Sequence, residues 1–254
     1  MSIVMLGSGN LATNLSLSLK KAGLHICQIY SKTQEHAKEL AGLLDCEYTT
    51  TPEKVFNADI YISAVKDSVC TEVWDKIKFN NKLVLHTSGS LDMQLLKDYS
   101  NNYGVLYPLM TFTKKRHIDF TDIPILVEAN TLKNCESIIE IAEKLSKKIQ
   151  IVNSIQRAQM HMAAVWANNF TNHMYAIAKS ITEKNNLPFS LLLPLIDETA
   201  WKVHDIEPIE AQTGPAVRFD ENIINKHIKA CPQEYKQLYK TISESIHALS
   251  EHKK

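Results

Sequence analysis

Short apolar runs alternate with amphipathic stretches over residues 1–152, and this alternation predicts the fold. Residues 2–6 form an apolar run that reads as a buried strand, followed by Gly7-Ser8-Gly9. Leu11, Leu15 and Leu19 then recur at helical spacing, and Gly23 stands where a left-handed helix cap is needed. Residues 26–30 read as a second strand. The pattern continues with a helix over 34–44, a short strand at Tyr48, a helix start at Thr51-Pro52 and a strand over 60–65. Next come a helix over 70–77, a strand over 83–86, a helix from Asp92 and a strand over 105–107. Strands over 125–128 and 149–152 flank a helix that sets Ile138, Ile139, Ala142 and Leu145 on one face. Beyond Val152 only the helical period remains, over 156–184, 189–203, 220–230 and from 232 onward. The expected architecture is α/β: a Rossmann-like, doubly wound parallel sheet followed by an all-helical part. The change of period places an expected domain boundary at Asn153, between 1–153 and 154–254. The tail His252-Lys253-Lys254 reads as a frayed, solvated end.

Composition narrows the possibilities. With 28 basic and 28 acidic side chains, the chain has no formal net charge, so a broad electrostatic grip on nucleic acid is not expected. The longest apolar stretch, 191–196, contains Pro194 and falls far short of the roughly 20 residues that cross a bilayer. The amino terminus has no basic region before its apolar run, so it reads as mature sequence, and a cytoplasmic location is expected. Five widely spaced cysteines without a C-x-x-C pair disfavour disulfide scaffolds and zinc ribbons. His204, Asp205 and Glu207 fit no standard ligand spacing, so no metal site is expected. No nucleophile elbow and no Cys-His pairing emerges, which removes the usual hydrolase readings.

Only seven glycines occur, and two of them, Gly7 and Gly9, stand between the first strand and the first helix. In Gly7-Ser8-Gly9-Asn10-Leu11-Ala12 the first glycine allows the tight turn and the second lets the backbone approach a pyrophosphate. The small Ala12 lets the helix pack close to the strand. The helix start offers unpaired N–H groups to the phosphates. A plain strand-to-helix turn without a nucleotide is the competing reading. Dinucleotide folds that use NAD place an acid after the second strand, and here Ser31-Lys32-Thr33 stands there instead. Two hydroxyls and a cation suit a 2′-phosphate, so NADP is the expected cofactor; a solvated loop is the alternative. Ala64-Val65-Lys66 and Thr87-Ser88 occupy other strand ends that should face the same ligand, and Tyr107-Pro108 follows a further strand. For each of these a structural role remains open.

Gly7-Ser8-Gly9-Asn10-Leu11-Ala12, Ser31-Lys32-Thr33 and Ala64-Val65-Lys66 resemble the amino-terminal domains of pyrroline-5-carboxylate reductases and of deazaflavin-dependent NADP oxidoreductases. The stretches His86-Thr87-Ser88-Gly89-Ser90, Pro108-Leu109-Met110-Thr111-Phe112 and Thr213-Gly214-Pro215, with Arg218 and Asp220, are similar to a bacterial group of oxidoreductases. That group joins a Rossmann-like domain to a helical domain of unknown function. The resemblance covers essentially the whole chain. It implies an NADP-binding domain, a carboxyl-terminal part similar to the helical domain of 6-phosphogluconate dehydrogenases, and a homodimer formed through those helices. It supplies no substrate.

In enzymes of this build the first long helix after the sheet borders the nicotinamide. His161, Asn168 and Asn172 stand there at i, i+7 and i+11, nearly one stripe, with His161 and Asn168 about 10 Å apart along the axis. Related hydroxyacid dehydrogenases use a lysine four residues before an asparagine, but Ala164 and Val165 occupy those positions. His161 is therefore the expected proton donor, with Asn168 and Ser88 holding the acceptor. A packing histidine is the bland alternative. Thr213-Gly214-Pro215 reads as a turn between helices or as part of a shared active site. The expected function is hydride transfer between NADP(H) and a small carbonyl or imine compound; a non-catalytic NADP sensor is the competing class.

Overall fold

The computed structural model describes residues 1–251, so the expectation for His252-Lys253-Lys254 lies outside the described residues. The chain divides into two compact units, one over Met1–Phe170 and the other from Thr171 onward.

The first unit is built on an eight-stranded sheet. In chain order its elements are β1 (Ser2–Leu6), α1 (Asn10–Lys21), β2 (His25–Tyr30), α2 (Gln34–Leu44), β3 (Glu47–Thr49), β4 (Ile60–Ser63), α3 (Cys70–Trp74), β5 (Leu83–His86) and β6 (Tyr103–Pro108). Then come β7 (Ile125–Ala129), α4 (Leu132–Glu143), β8 (Ile149–Ile151) and α5 (Ser154–Ala164). The strand order is β3-β2-β1-β4-β5-β6-β7-β8. The first six strands are parallel, in the order of a doubly wound dinucleotide fold, and the strand order switches between β1 and β4. β7 runs antiparallel to β6, and β8 runs parallel to β7. No helix intervenes between β6 and β7, and a parallel return would require a crossover.

Residues of β1 explain the uninterrupted apolar reading of the strands. Ile3 and Met5 join a core with Ala12, Leu15 and Leu19 of α1, whereas Val4 and Leu6 face an opposite core containing Tyr61 and Trp74. Both faces of the central strands are covered, so the period-two pattern disappears. Several predicted helices shrink. Thr51-Pro52 opens a single 3₁₀ turn, Pro52–Lys54, and the helix expected from Asp92 is the 3₁₀ turn Met93–Leu96, capped by the Asp92 side chain.

The element type changes at Asn153, which closes a capping box with Gln156 at the start of α5. The first compact unit nevertheless extends further, because residues 154–170 group with the sheet. α5 does not run on as a regular helix: Val165–Phe170 is a π-helical segment. The second unit consists of α6 (Thr171–Lys184), α7 (Leu193–Lys202), the short α8 (Pro208–Ala211), α9 (Glu221–Ala230) and α10 (Lys236–Glu251). Asp220 caps α9 by accepting the Ile223 N–H, and Gly214 has φ +109°. Among the described residues no helix is long and apolar enough to cross a membrane.

Candidate functional site

Gly7 has φ +122°, and a Cβ there would lie 2.7 Å from the Ala64 carbonyl oxygen, so glycine is required where β1 turns beside the end of β4. The Gly7 N–H donates to Tyr30 O at 2.7 Å, and the Ser8 hydroxyl donates to Ser31 Oγ at 2.7 Å. Three strand ends are thereby joined. At Gly9 a Cβ would meet nothing within 4 Å, and this residue caps α1 without any side-chain acceptor. The N–H groups of the first turn of α1 therefore lack a capping side chain.

These segments line a groove of about 690 Å³. Gly7, Ser8 and Gly9 meet Ser31, Lys32 and Thr33 there, together with Ala64, Val65 and Lys66. His36 and Lys114 also line it. Sequence reasoning missed both. His36 stands within the first turn of α2, where its spacing from Lys32 was a usable signal. Lys114 arrives from the irregular β6–β7 connection, which has no periodicity to read, and pairs with Glu39 at 3.5 Å. The groove suits a dinucleotide phosphate: an open glycine face, an uncapped helix start, two hydroxyls and several cations converge in it.

A second cavity of about 710 Å³ begins where the groove ends, at Asn10 and Leu11. Its size falls in the range of small-molecule sites. His161, Asn168 and Asn169 line it with Tyr107 and Met110. Asn168 and Asn169 are consecutive, and a regular helix would turn them about 100° apart. Both belong to the π-helical segment, and both line the cavity. Asn172, the third residue of the expected stripe, belongs to the second unit.

Tyr107 Oη and His161 Nδ1 are 2.9 Å apart. Burial raises the Tyr107 phenol above its ordinary pKa, so it stays protonated near neutral pH. Gly89 sits against the same imidazole: a Cβ there would lie 2.6 Å from its Cγ and Nδ1. Arg157, one turn earlier on α5, is fully buried. Its Nε donates to Ser88 O at 3.1 Å, and its terminal nitrogens reach Glu128, Leu91 O and the Ser154 hydroxyl. The helix bearing His161 is thus bolted to β7 and to the loop after β5.

Ser88 and Thr87 stand apart from this grouping. The Ser88 hydroxyl donates to Asp67 Oδ2 at 2.7 Å and accepts N–H groups from Ser90 and Leu91. Thr87 is buried and donates to Ser63 O at 3.1 Å. Neither is among the residues that line the groove or the second cavity. Ala12 is also fully buried and lines neither space. His86 is buried, accepts the Ser88 N–H at Nδ1 and leaves Nε2 without a partner. Burial, aided by the charge on Arg157, pushes its pKa down to about 3. Among the described residues no group of three His, Cys, Asp or Glu side chains is placed to hold a metal ion.

Comparison with known proteins agrees with this layout. Residues 2–89 match the family model "NADP oxidoreductase coenzyme F420-dependent", and residues 123–246 match "Domain of unknown function (DUF2520)". No curated protein matches the chain. A solved structure from Bacteroides fragilis, provisionally described as an NADP oxidoreductase, is 44% identical with a TM-score of 0.94; the match covers 97% of this chain and 98% of that one. An imine reductase from Streptomyces aurantiacus shares the fold at 12% identity and a TM-score of 0.68, covering 98% and 94% of the two chains. A 1-pyrroline-5-carboxylate reductase from Streptococcus pyogenes does so at 15% identity and a TM-score of 0.64, covering 99% and 97%. The chain belongs to the NADP oxidoreductase family in which a domain of the coenzyme F420-dependent NADP oxidoreductase type precedes a DUF2520 domain.

Proposed function

We propose that the protein is an NADP-dependent enzyme that reduces a small carbonyl or imine compound held in the second cavity, or runs the reverse oxidation. NADPH, when bound, supplies the hydride. The open start of α1 holds its pyrophosphate, and Ser31, Lys32 and Thr33, assisted by His36, hold the 2′-phosphate. The absence of a carboxylate among residues 31–33 removes the repulsion that an NAD-type acid would exert on that phosphate.

The observation that carries the reading is the His161–Tyr107 hydrogen bond inside a cavity that starts on the fingerprint segment. In its imidazolium form His161 donates Nδ1–H to the Tyr107 oxygen and presents Nε2–H to the acceptor atom. After the proton leaves Nε2, the neutral ring keeps its Nδ1–H on Tyr107, so its orientation does not change. Asn168 and Asn169 supply neutral amides that orient the acceptor.

Steady-state NADPH oxidation against a carbonyl and imine panel, with cofactor titration in parallel, tests this. His161→Asn should lower kcat by roughly two to four decades while leaving NADPH affinity unchanged. NADPH should bind more tightly than NADH. Cofactor binding without turnover of any acceptor would favour a sensor instead.

A further inference from the structure

The walls of the two cavities differ in kind. The groove gathers Lys32, Lys66, Lys76 and Lys114, with Glu72 as its carboxylate. Among the described residues, the second cavity has no Lys, Arg, Asp or Glu in its lining. Leu11, Leu109, Met110, Phe112, Met160 and Ala163 give it an apolar wall. Its polar groups, apart from the titratable His161, are neutral: the Asn10, Asn168 and Asn169 amides, the Thr111 hydroxyl and the Tyr107 phenol. Arg157 offers no hydrogen bond to a ligand here, because its guanidinium is fully buried and committed to Glu128, Ser154 and the carbonyls of Ser88 and Leu91.

A carboxylate or phosphate entering such walls loses hydration and gains no lysine or arginine in exchange. A neutral ring or alkyl body loses far less and gains from burial of its apolar surface. The amides and the imidazole suit one polar atom at the reacting end. We propose, building on the reductase reading above, that the acceptor is an uncharged, mostly apolar ketone, aldehyde or imine with a single hydrogen-bonding centre, and that the cavity selects against acids.

Matched pairs of compounds test this on the full chain saturated with NADP: cyclohexanone against its ring carboxylate, and a methyl-substituted pyrroline against the corresponding pyrroline carboxylate. Binding is measured by titration calorimetry and turnover by NADPH absorbance. The neutral member of each pair should bind on the order of a hundredfold more tightly than the acid. Met110→Lys, which adds a cation at a partly exposed wall position, should raise affinity for the acids by about tenfold. Equal or tighter binding of the acids to the unaltered protein, or failure of both members to bind, would overturn the proposal. So would a Met110→Lys protein with unchanged preference, because the ligand would then sit elsewhere. Neutral compounds that bind without consuming NADPH would support the selectivity and defeat the reductase reading, so the two fail separately.

Discussion

Gly89 shows how much of the site depends on a missing side chain. Because a Cβ there would sit 2.6 Å from the His161 ring, Gly89→Ala must push the imidazole away from Tyr107. Activity should drop by roughly one to two decades with NADPH affinity intact, and overpacking should cost about 1–3 kcal/mol, readable by urea unfolding. His86 carries a different consequence. Its folded pKa lies near 3, whereas an unfolded imidazole takes up a proton as pH falls through about 6.5. The unfolded chain binds more protons throughout that window, so the full stabilisation is present above it and is lost as pH falls towards the folded value. The slope should approach about 1.4 kcal/mol per pH unit. His86→Asn keeps an acceptor for the Ser88 N–H and should flatten this part of the profile; an unaltered slope would assign the effect to other groups. The fingerprint glycines and Ser31-Lys32-Thr33 were legible because their chemistry is local in sequence. Gly89, Tyr107 and Lys114 were not legible as partners, since each meets its counterpart across more than fifty residues of intervening chain.

Among the elements, the strands were read with few errors because their burial on both faces leaves continuous apolar runs. Helices with an amphipathic stripe, such as α1 and α4, were equally legible. Helix length was overread where periodicity is too short to measure, as at the 3₁₀ turns Pro52–Lys54 and Met93–Leu96. β7 was placed but its direction was not read, because apolar patterning marks a strand and not the way it runs. α5 illustrates how a helix that reads as weakly amphipathic is held in place. Arg157 reaches into the sheet unit from its buried position, and Glu128, with 13% side-chain exposure, answers it. Removing one partner of such a pair strands the other charge. Arg157→Met should therefore destabilise the protein by about 3–5 kcal/mol, and adding Glu128→Leu should recover part of the loss. Chemical denaturation of the single and double variants decides between this and a merely peripheral role.

For the molecule as a whole, the two units differ in how completely they cover their own apolar surface. The first has two buried clusters on either side of its sheet. In the second, Ala216, Ile224 and Ser243 are the residues buried below a tenth among those described, whereas Leu187, Leu191, Leu195, Trp201 and Ile209 stay exposed. A contiguous apolar surface marks an interaction face, and closed two-fold dimers are the commonest homo-oligomers. Light scattering should accordingly return about twice the chain mass of 28.8 kDa. A single-chain mass at micromolar concentration would count against self-association. Fold class was legible at this scale from the change of period after Val152. The reach of the first unit to Phe170 was not, because a helix that packs on a sheet and one that packs on other helices share the same repeat.

The widened turn at Val165–Phe170 amounts to a phase insertion in an otherwise periodic cylinder. Excising one residue there would restore the ordinary pitch and strengthen the hydrogen-bond ladder, at the expense of the segment that carries both amides. Local irregularity and chemical usefulness are, at this point of the chain, the same single residue of excess length.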